Sequence, residues 1–416
     1  MRLLFSLTYY SPYISGLTIY VKRLAEEFTK QGDSVTVISM QFDKGLPLQE
    51  RIDGVRVIRA KTLFSLSKGF ISLDWLLKSF KLVRESDVIL VSLPQLEGVI
   101  PALFGRIFQK KVIAIYHCEV ILPHSIINKA IELILNISNL FSLFLSQIIV
   151  TYTKDFANNS RILPYFQDKI HYIYPPIKKP KIDKRTQNMI IKKVGLKPDY
   201  IIGVAARLAA EKGIEYLLEA IPIINSKLKG QKSKIQIKNK KCLENMKALK
   251  TPLGWPAYKD SPEVEESKLK VVVAGSLDPV GERDYKRKIL KLVEKYKDYI
   301  IFVGELKEEE IGSFYSLIDV LVLPSVNSTE AFGMVQVEAM MMGVPVIASD
   351  LPGVRVSIQK TGMGKIVPIK NIQELATAVT NVLFEKDKYT RKEKIISICS
   401  EFNLGKTINL YSKLLT

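Results

Sequence analysis

The feature that most constrains the fold is an alternation of short apolar runs with longer segments of helical periodicity. The runs are rich in valine, isoleucine and leucine, and those of the first half lie at 2–7, 34–39, 87–93, 111–117 and 147–153. Strands that are apolar throughout and joined by helices are typical of a parallel sheet covered on both faces. We therefore predict a doubly wound α/β domain in the first half of the chain.

The same alternation restarts after a segment rich in proline and charge, "YPPIKKPKIDKRTQ" at 174–187, whose composition is typical of a linker. Further strands are predicted at 200–208, 270–276, 299–306, 320–326 and 343–349. The chain has 416 residues, and one hydrophobic core rarely extends beyond roughly 300 residues. We predict two Rossmann-like doubly wound domains facing a central cleft, where such folds bind ligands at the carboxyl ends of their strands.

The formal net charge of +19 is concentrated in part of the chain. Nine lysines and one acid, Glu244, lie between Lys227 and Lys250, so this stretch contributes +8. A lysine run attracts polyanions such as nucleic acid or an anionic membrane surface, whereas its plainer interpretation is a solvated segment. Residues 229–267 interrupt the pattern of strands and helices, and we interpret them as a basic insertion.

A second basic segment, at 61–85, differs because leucines and aromatic residues interleave with its lysines. If 74–84 is helical, Leu76, Leu77 and Phe80 share one side of the helix. The remaining side is polar and carries Asp74, Lys78, Lys81 and Arg84. This pattern is typical of a helix at a membrane interface, and equally of an amphipathic helix packed on its own sheet.

The sequence favours a cytoplasmic protein that does not cross a membrane. The most apolar window, at 130–150, is interrupted by Glu132 and by three amides. The amino-terminal stretch is too short and too polar for a signal peptide and reads as a first strand. The three cysteines are odd in number and far apart, without the spacing of a disulfide framework or a metal site.

Two carboxylates stand in the otherwise apolar stretch "NSTEAFGMVQVEAMMMGVPVIASD" at 327–350. Glu330 is predicted on a loop at the carboxyl end of a strand, and Glu338 on a buried helix that begins near Gly333 and ends at Gly343. A buried carboxylate requires hydrogen-bond donors, which ligand hydroxyls could supply. Alternatively, Glu338 pairs with a lysine or arginine in the core and Glu330 caps the helix.

Other residues predicted at the cleft suit a diphosphate. Arg207 and Lys212 follow the first strand of the second domain, and the helix that begins near Gly333 offers amides to an anion. In the first domain, Gly16 ends a loop that follows the first strand, and His117 ends a later strand. A surface charge or a structural histidine is the alternative for each side chain taken alone.

Several segments resemble the hallmark segments of the retaining GT-B glycosyltransferases of family 4. They are "SLTYYSPYISGLTIYVKRLAEEFTKQGDSVTVIS", "YHCE", "GVAARLAAEKGIEYLLEAI", "KVVVAGSL", "FVGELKEEEIGSFYSLIDVLVLPS" and "TEAFGMVQVEAMMMGVPVIASDLPGV". The resemblance extends over nearly the whole chain except 229–267. The sequence departs from the family at Ser15, where the family usually has the first of two adjacent glycines, so that Gly16 is the one glycine of this loop predicted to approach the diphosphate.

The resemblance implies a role for each of these residues. Glu330 would bind the donor sugar and Glu338 the ribose, while Arg207 and Lys212 would neutralise the departing diphosphate and His117 would lie beside the reacting sugar. The backbone amides that would bind sugar and diphosphate belong to Phe332, Gly333, Met334 and Val335. We divide the chain into an acceptor domain at 1–180, a donor domain at 181–395 and a helix at 396–416 that returns to the first domain.

The expected activity is transfer of a hexose from a UDP- or GDP-linked sugar, with retention. No Asp-x-Asp sequence is present, so we expect no metal and no other cofactor. The expected acceptor is a glycolipid or lipid-linked oligosaccharide at an anionic membrane surface, on the inner face of the cell membrane. A soluble sugar or sugar phosphate is the alternative acceptor. A nucleic-acid-binding protein and a non-catalytic binder of sugar nucleotides are the alternatives from other classes, and nucleic acid is not expected because the lysine run lacks aromatics.

Overall fold

The computed structural model describes residues 1–66, 69–122, 125–195, 198–230, 269–276 and 283–416. Nearly all of the predicted insertion at 229–267 lies outside these residues. The first sheet is formed by β1 (Arg2–Ser6), β2 (Ser34–Met40), β3 (Gln49–Ile52), β4 (Val55–Ala60), β7 (Val88–Leu93), β8 (Lys111–Tyr116), β9 (Ile148–Thr151) and β10 (Ile170–Tyr172), and β5 (Phe64–Leu66) pairs with β6 (Gly69–Ile71) in a separate hairpin. The second sheet is formed by β11 (Tyr200–Ala205), β12 (Leu269–Ala274), β13 (Ile300–Gly304), β14 (Val320–Leu323), β15 (Val346–Ser349) and β16 (Gly364–Val367).

Both sheets are doubly wound. The first has the order β10-β9-β8-β7-β1-β2-β4-β3 and is parallel except for the antiparallel pair β3 and β4. The second has the order β13-β12-β11-β14-β15-β16 and is parallel throughout. Strand order reverses between β1 and β7 and between β11 and β14, which places a ligand crevice at the carboxyl ends of these strands. The predicted fold class is confirmed.

The central strands form because their apolar side chains are buried on both faces. All six residues of β7 are buried, as are all four residues of β14 and of β15. The strands that the sequence pattern did not predict lie mainly at the edges. The pattern of β3 alternates exposed and half-buried residues, and two of the three residues of β10 are exposed.

Helices cover both faces of each sheet. Those of the first domain are α1 (Gly16–Lys30), α2 (Leu73–Glu85), α3 (Val99–Ile107), α4 (Ile126–Leu145) and α5 (Lys154–Asn159). Those that follow are α6 (Lys184–Val194), α7 (214–230), α8 (Arg283–Lys295), α9 (Ile311–Tyr315), α10 (Met334–Met341), α11 (Val354–Thr361), α12 (Ile372–Phe384), α13 (Lys386–Tyr389), α14 (Lys392–Glu401) and α15 (Leu404–Leu415). Serine caps begin several of them; the Ser15 hydroxyl accepts from the Thr18 amide at 3.1 Å and fixes the start of α1 beside the cleft.

The last helix, α15, lies against α1 of the first domain. The hydroxyls of Tyr20 and Tyr411 are 2.6 Å apart and both side chains are fully buried. The Thr407 hydroxyl donates to the carbonyl of Tyr174 at 3.0 Å, in the segment that leads from one domain to the other. These contacts join the end of the chain to its beginning.

Helices α2, α3 and α4 pack side by side and expose an apolar surface, which we call the α2–α4 face. On α2, Trp75, Leu82 and Val83 are buried, whereas the three apolar residues predicted to share one side are exposed. The exposed apolar residues of the face are Leu73, Leu76, Leu77, Phe80, Leu103, Ile107, Ile126, Ile127, Leu133, Ile134, Ile137, Leu140, Phe141 and Phe144. Helix α2 therefore packs on its domain through Trp75, Leu82 and Val83, while the predicted apolar side faces away from the sheet.

Helix α4 is the one helix of the described residues that is long and apolar enough to span a bilayer by length and composition. Its polar residues Ser138, Asn139 and Ser142 are buried against the domain. The Asn139 side chain accepts from the Gln95 amide at 3.2 Å, and the Ser138 hydroxyl donates to the Leu96 carbonyl. In this structure α4 packs on the first domain through its polar side and leaves its apolar side exposed.

Candidate active site

The candidate site lies where the two points of strand-order reversal, one in each sheet, face each other. The loop after β1 approaches the beginning of α10, since a Cβ atom added to Gly16 would lie 3.8 Å from Met334 Cε. The Glu119 amide, in the loop after β8, donates to the Ser328 carbonyl in the loop after β14 at 3.2 Å. The carboxyl ends of the two sheets therefore face each other across one cleft.

Lys212 and Glu330 form an ion pair in this cleft. Lys212 Nζ lies 2.6 Å from Glu330 Oε2, and both side chains are largely buried. The pair joins the loop after β11 to the loop after β14. A second contact holds the two loops together, because the Val326 amide donates to the Glu211 carbonyl at 3.0 Å. The predicted cation and the predicted loop carboxylate are thus brought together, and the helix-capping alternative for Glu330 is not observed.

Gly213 makes this approach possible. Its backbone is left-handed, with φ of +60°, and an added Cβ atom would lie 2.3 Å from the Pro324 carbonyl oxygen. A side chain at this position would push apart the loops that carry Lys212 and Glu330.

Arg207 lies on the same loop as Lys212. Its guanidinium is 2.6 Å from the Glu211 carboxylate and is about one third exposed. Burial, with the charges of Tyr13 and Glu97, raises the pKa of the Tyr9 phenol, and the positive charge of the neighbouring Arg207 opposes this rise. Arg207 therefore lies near the first-domain loop after β1.

The amino-terminal end of α10 is open to an anion. Gly333 caps the helix in a left-handed conformation with φ of +75°, and no side chain caps the first turn. Met334 and Val335 form the first turn of the helix, where amides lack partners within the helix and the helix dipole favours negative charge. Binding of a diphosphate by the amides of Phe332, Gly333, Met334 and Val335 stays a prediction. The Phe332 side chain packs in the core against rings of Tyr152, Tyr174 and Phe402.

His117 is buried at the end of β8 and is neutral. Its Nδ1 lies 2.6 Å from the Tyr152 hydroxyl, and burial lowers its pKa to about 3. Within the described ranges, Nε2 has no hydrogen-bond partner. A neutral imidazole with one unsatisfied nitrogen can bind a ligand hydroxyl but does not act as a charged acid near neutral pH. Of the other two histidines, His171 is exposed on β10, and His124 lies outside the described residues.

Glu338 is held by two protein donors. Arg23, on α1 of the first domain, lies 2.8 Å from Oε1, and the Tyr315 hydroxyl donates to Oε2 at 3.2 Å. Glu338 is 5% exposed. The core arginine considered as an alternative partner is therefore present, and contact between Glu338 and a ribose stays a prediction.

Three functional candidates were missed by sequence reasoning. Arg23 is one polar residue on an amphipathic helix, and nothing in its local sequence marks its contact with the second domain. Glu119 accepts from the hydroxyls of Ser160 and Ser328, each at 3.0 Å, and so bridges the two domains. Its signal was the "YHCE" segment, of which only the histidine was assigned a role.

The third is Glu97, which follows β7 at the switch point of the first domain. Burial raises its pKa to about 7. The Thr8 hydroxyl donates to Oε2 at 3.4 Å, while Oε1 is unpaired among the residues that the structure describes. Gln95 is also buried, and its Oε1 accepts from the Ser6 hydroxyl at 3.0 Å.

The comparisons with known proteins cover both halves of the chain. Residues 242–396 match the family described as Glycosyl transferases group 1, and residues 14–179 match Glycosyltransferase Family 4. An uncharacterized glycosyltransferase of Methanocaldococcus jannaschii is 26% identical over 398 residues, which cover 89% of this chain and 85% of the relative.

A shorter match and a solved structure add to these. The GDP-mannose-dependent alpha-(1-6)-phosphatidylinositol monomannoside mannosyltransferase of Mycobacterium tuberculosis is 28% identical over 116 residues, 26% of this chain and 30% of that protein. The crystal structure of Anabaena HepE in complex with UDP and glucose has a TM-score of 0.71 at 15% identity, covering 100% of this chain and 99% of that chain.

Proposed function

We propose that this chain, which belongs to the Glycosyl transferases group 1 and is a glycosyltransferase of the GT-B fold, transfers a hexose from a UDP- or GDP-linked sugar with retention of configuration. The observation that carries the proposal is the Lys212–Glu330 pair beside the uncapped start of α10. A cation, a hydroxyl-binding carboxylate and free amides at one point suit a sugar joined to a diphosphate. The names of the mannosyltransferase and of the HepE complex, with GDP-mannose and UDP, support the class of donor.

The largest catalytic contribution comes from fixed positive charge. When the bond between C1 of the sugar and the phosphate oxygen breaks, negative charge develops on the diphosphate. Lys212, Arg207 and the amides of 332–335 stabilise this charge in a cleft where water is partly excluded. Because cations of the protein serve this purpose, we propose that the reaction requires no metal.

The sugar is held by uncharged and charged groups around C1. Glu330 accepts hydrogen bonds from hydroxyls of the sugar, and Lys212 holds its carboxylate in place. The unsatisfied Nε2 of His117 accepts or donates one further hydrogen bond to the sugar. Glu338 binds the ribose hydroxyls of the donor.

Retention follows from attack on the face that the diphosphate leaves. The acceptor oxygen forms its bond to C1 as the phosphate departs, and the acceptor proton passes to the leaving phosphate oxygen. A carboxylate nucleophile would require a second carboxylate close to Glu330. Glu338 does not provide it, because its carboxylate is paired with Arg23 of the first domain and with the Tyr315 hydroxyl.

The acceptor is proposed to be a glycolipid or lipid-linked oligosaccharide at the inner face of the cell membrane. The α2–α4 face exposes apolar residues that include Leu77, 71% exposed, and Phe144, 68% exposed. Lys81, Arg84, Arg106 and Lys129 are exposed on the same helices. Apolar side chains flanked by cations are typical of surfaces that bind anionic bilayers.

Release of nucleoside diphosphate tests the site. UDP- and GDP-sugars are incubated with a glycolipid acceptor and with a soluble sugar, in the presence of EDTA, and the wild type is compared with Glu330→Ala. We expect turnover in the wild type with EDTA and loss of at least 100-fold in the variant, as for removal of one positioned charge, about 3 kcal/mol. Glu374→Ala on the exposed side of α12 is the control. Equal turnover in wild type and Glu330→Ala would refute the assignment of the site.

Vesicle co-sedimentation tests the acceptor. Wild type and a Leu77→Ser/Phe144→Ser variant are mixed with anionic or zwitterionic vesicles at low and moderate salt. We expect the wild type to bind the anionic vesicles and the variant to bind several-fold less. The variant should keep the turnover of the wild type when nucleoside diphosphate release is measured in solution, without vesicles. A wild type that binds no vesicles and glycosylates a soluble sugar phosphate would favour the alternative acceptor.

A further inference from the structure

Arg23 is a buried arginine that connects the first domain to the second. It is 3% exposed. Its Nε donates to Glu308 at 2.8 Å, one terminal nitrogen donates to Glu338 at 2.8 Å, and the other donates to the Pro176 carbonyl at 3.0 Å. Each of its three nitrogens therefore has an acceptor, and two of these acceptors are carboxylates of the second domain.

The contact with Glu338 leaves room for a ligand on the carboxylate. An ionised carboxylate has about four lone-pair sites. Arg23 occupies one site on Oε1 and the Tyr315 hydroxyl occupies one on Oε2. Counting only donors from the described residues, one lone-pair site remains on each oxygen, and two adjacent hydroxyls can donate to this pair of sites.

The burial of this group makes the arginine necessary. Burying a carboxylate that is 5% exposed costs free energy unless a cation or several hydrogen-bond donors are present. Arg23 is the side chain that supplies positive charge at hydrogen-bond distance.

We propose that Arg23 is a positioning residue for the donor, which holds the Glu338 carboxylate in the orientation in which its remaining lone pairs accept the 2′ and 3′ hydroxyls of a ribonucleoside diphosphate. This inference rests on the proposed function, because Glu338 is the ribose ligand only in a nucleotide-sugar enzyme. It adds that a residue of the first domain completes the ribose subsite of the second. Arg23 itself does not touch the reacting atoms.

The experiment measures discrimination between ribose and deoxyribose. Binding of UDP and GDP and of their 2′-deoxy counterparts is measured by calorimetry for the wild type, Arg23→Ala, Arg23→Lys and Tyr315→Phe. Lys30→Ala, which removes an exposed cation from the same helix, is the control. Donor KM and kcat are measured for the same proteins, and their thermal midpoints are recorded.

We expect the wild type to prefer the ribonucleotide by about 10-fold or more, since the 2′ hydroxyl donates a hydrogen bond to a charged group. Arg23→Ala should lower this preference to within twofold and raise the donor KM while changing kcat less than threefold. Arg23→Lys and Tyr315→Phe should give intermediate preferences, and Lys30→Ala should match the wild type. A residue with only a structural role would weaken both nucleotides equally.

Failure of the inference on Arg23 and failure of the proposed function would give different experimental results. If the wild type prefers ribose and folded Arg23→Ala keeps that preference, the role of Arg23 is overturned and the proposed function stands. If the wild type binds neither UDP nor GDP, the proposed function fails and the inference fails with it. If Arg23→Ala does not fold, Arg23→Lys decides, because an unchanged preference in that variant overturns the inference.

Discussion

Replacing Glu97 with glutamine should stabilise the protein at high pH. Glu97 is buried at the carboxyl end of β7, and burial raises its pKa from 4.5 to about 7. Between these two pH values the folded state keeps a proton that the unfolded state has released. The contribution of protonated Glu97 to the free energy of unfolding is therefore fully present below pH 4.5 and is lost as the pH rises through about 7.

The size of the effect follows from the shift. A change from 4.5 to about 7 corresponds to about 3 kcal/mol, at about 1.4 kcal/mol for each pKa unit. The wild type should lose this amount between pH 5 and pH 9 relative to Glu97→Gln, because glutamine does not titrate. At pH 5 the two proteins should be close in stability. At pH 9 the variant should be more stable by about 2–3 kcal/mol.

The fluorescence of Trp75 reports the unfolding of the first domain, which contains Glu97. Its buried indole donates to the Glu97 carbonyl at 3.2 Å. Urea unfolding is followed by tryptophan fluorescence at pH 5, 7 and 9 in a Trp255→Phe background, so that the signal comes from Trp75. Glu393→Gln, an exposed glutamate on α14, is the control and should show no such difference. A stability difference between Glu97→Gln and wild type that does not change with pH would refute the reasoning.

Three further predictions concern other parts of the molecule. Lys212→Met should lower kcat/KM by about 100- to 1000-fold in nucleoside diphosphate release, whereas Lys212→Arg should retain part of the activity because it keeps the charge beside Glu330. Gly333→Ala should destabilise the protein by about 2 kcal/mol in urea unfolding, since φ is +75° and the added Cβ would lie 2.6 Å from Leu323 Cδ2. Phe144→Asp should abolish co-sedimentation with anionic vesicles at moderate salt. Its thermal midpoint should stay within about 2 °C of the wild type, because substitution of an exposed residue changes the free energy of unfolding by about 0.5 kcal/mol. Intact binding would contradict the role of the α2–α4 face.

The central strands beside the point of strand-order reversal, such as β7 and β14, were predictable because they are buried on both faces. A strand such as β7 has no solvent-facing side, so its sequence is an uninterrupted apolar run. The edge strands β3 and β10 were not predictable from this signal. Their residues are exposed or half-buried, and they form because a neighbouring strand offers hydrogen bonds rather than because their own sequence is apolar.

The proximity of Lys212 and Glu330 was predictable for a topological reason. Each follows a strand of the same parallel sheet, and β11 and β14 are neighbours at the point where the strand order reverses. The contacts of Arg23 depend instead on how the two domains sit against each other. Residues 23 and 338 are 315 positions apart, and an amphipathic helix gives the same local pattern whichever partner its polar residues meet.

The packing of α15 on α1 affects how the chain folds during synthesis. Tyr20 and its partner Tyr411 are 391 residues apart. The first domain is made first, but α15, which covers Tyr20 on α1, is synthesised only after the whole second domain. A fragment cut in the linker should therefore expose that surface and be prone to aggregate, even though it contains every strand of its sheet. The packing of the first domain thus depends on a helix that the ribosome makes after the second domain.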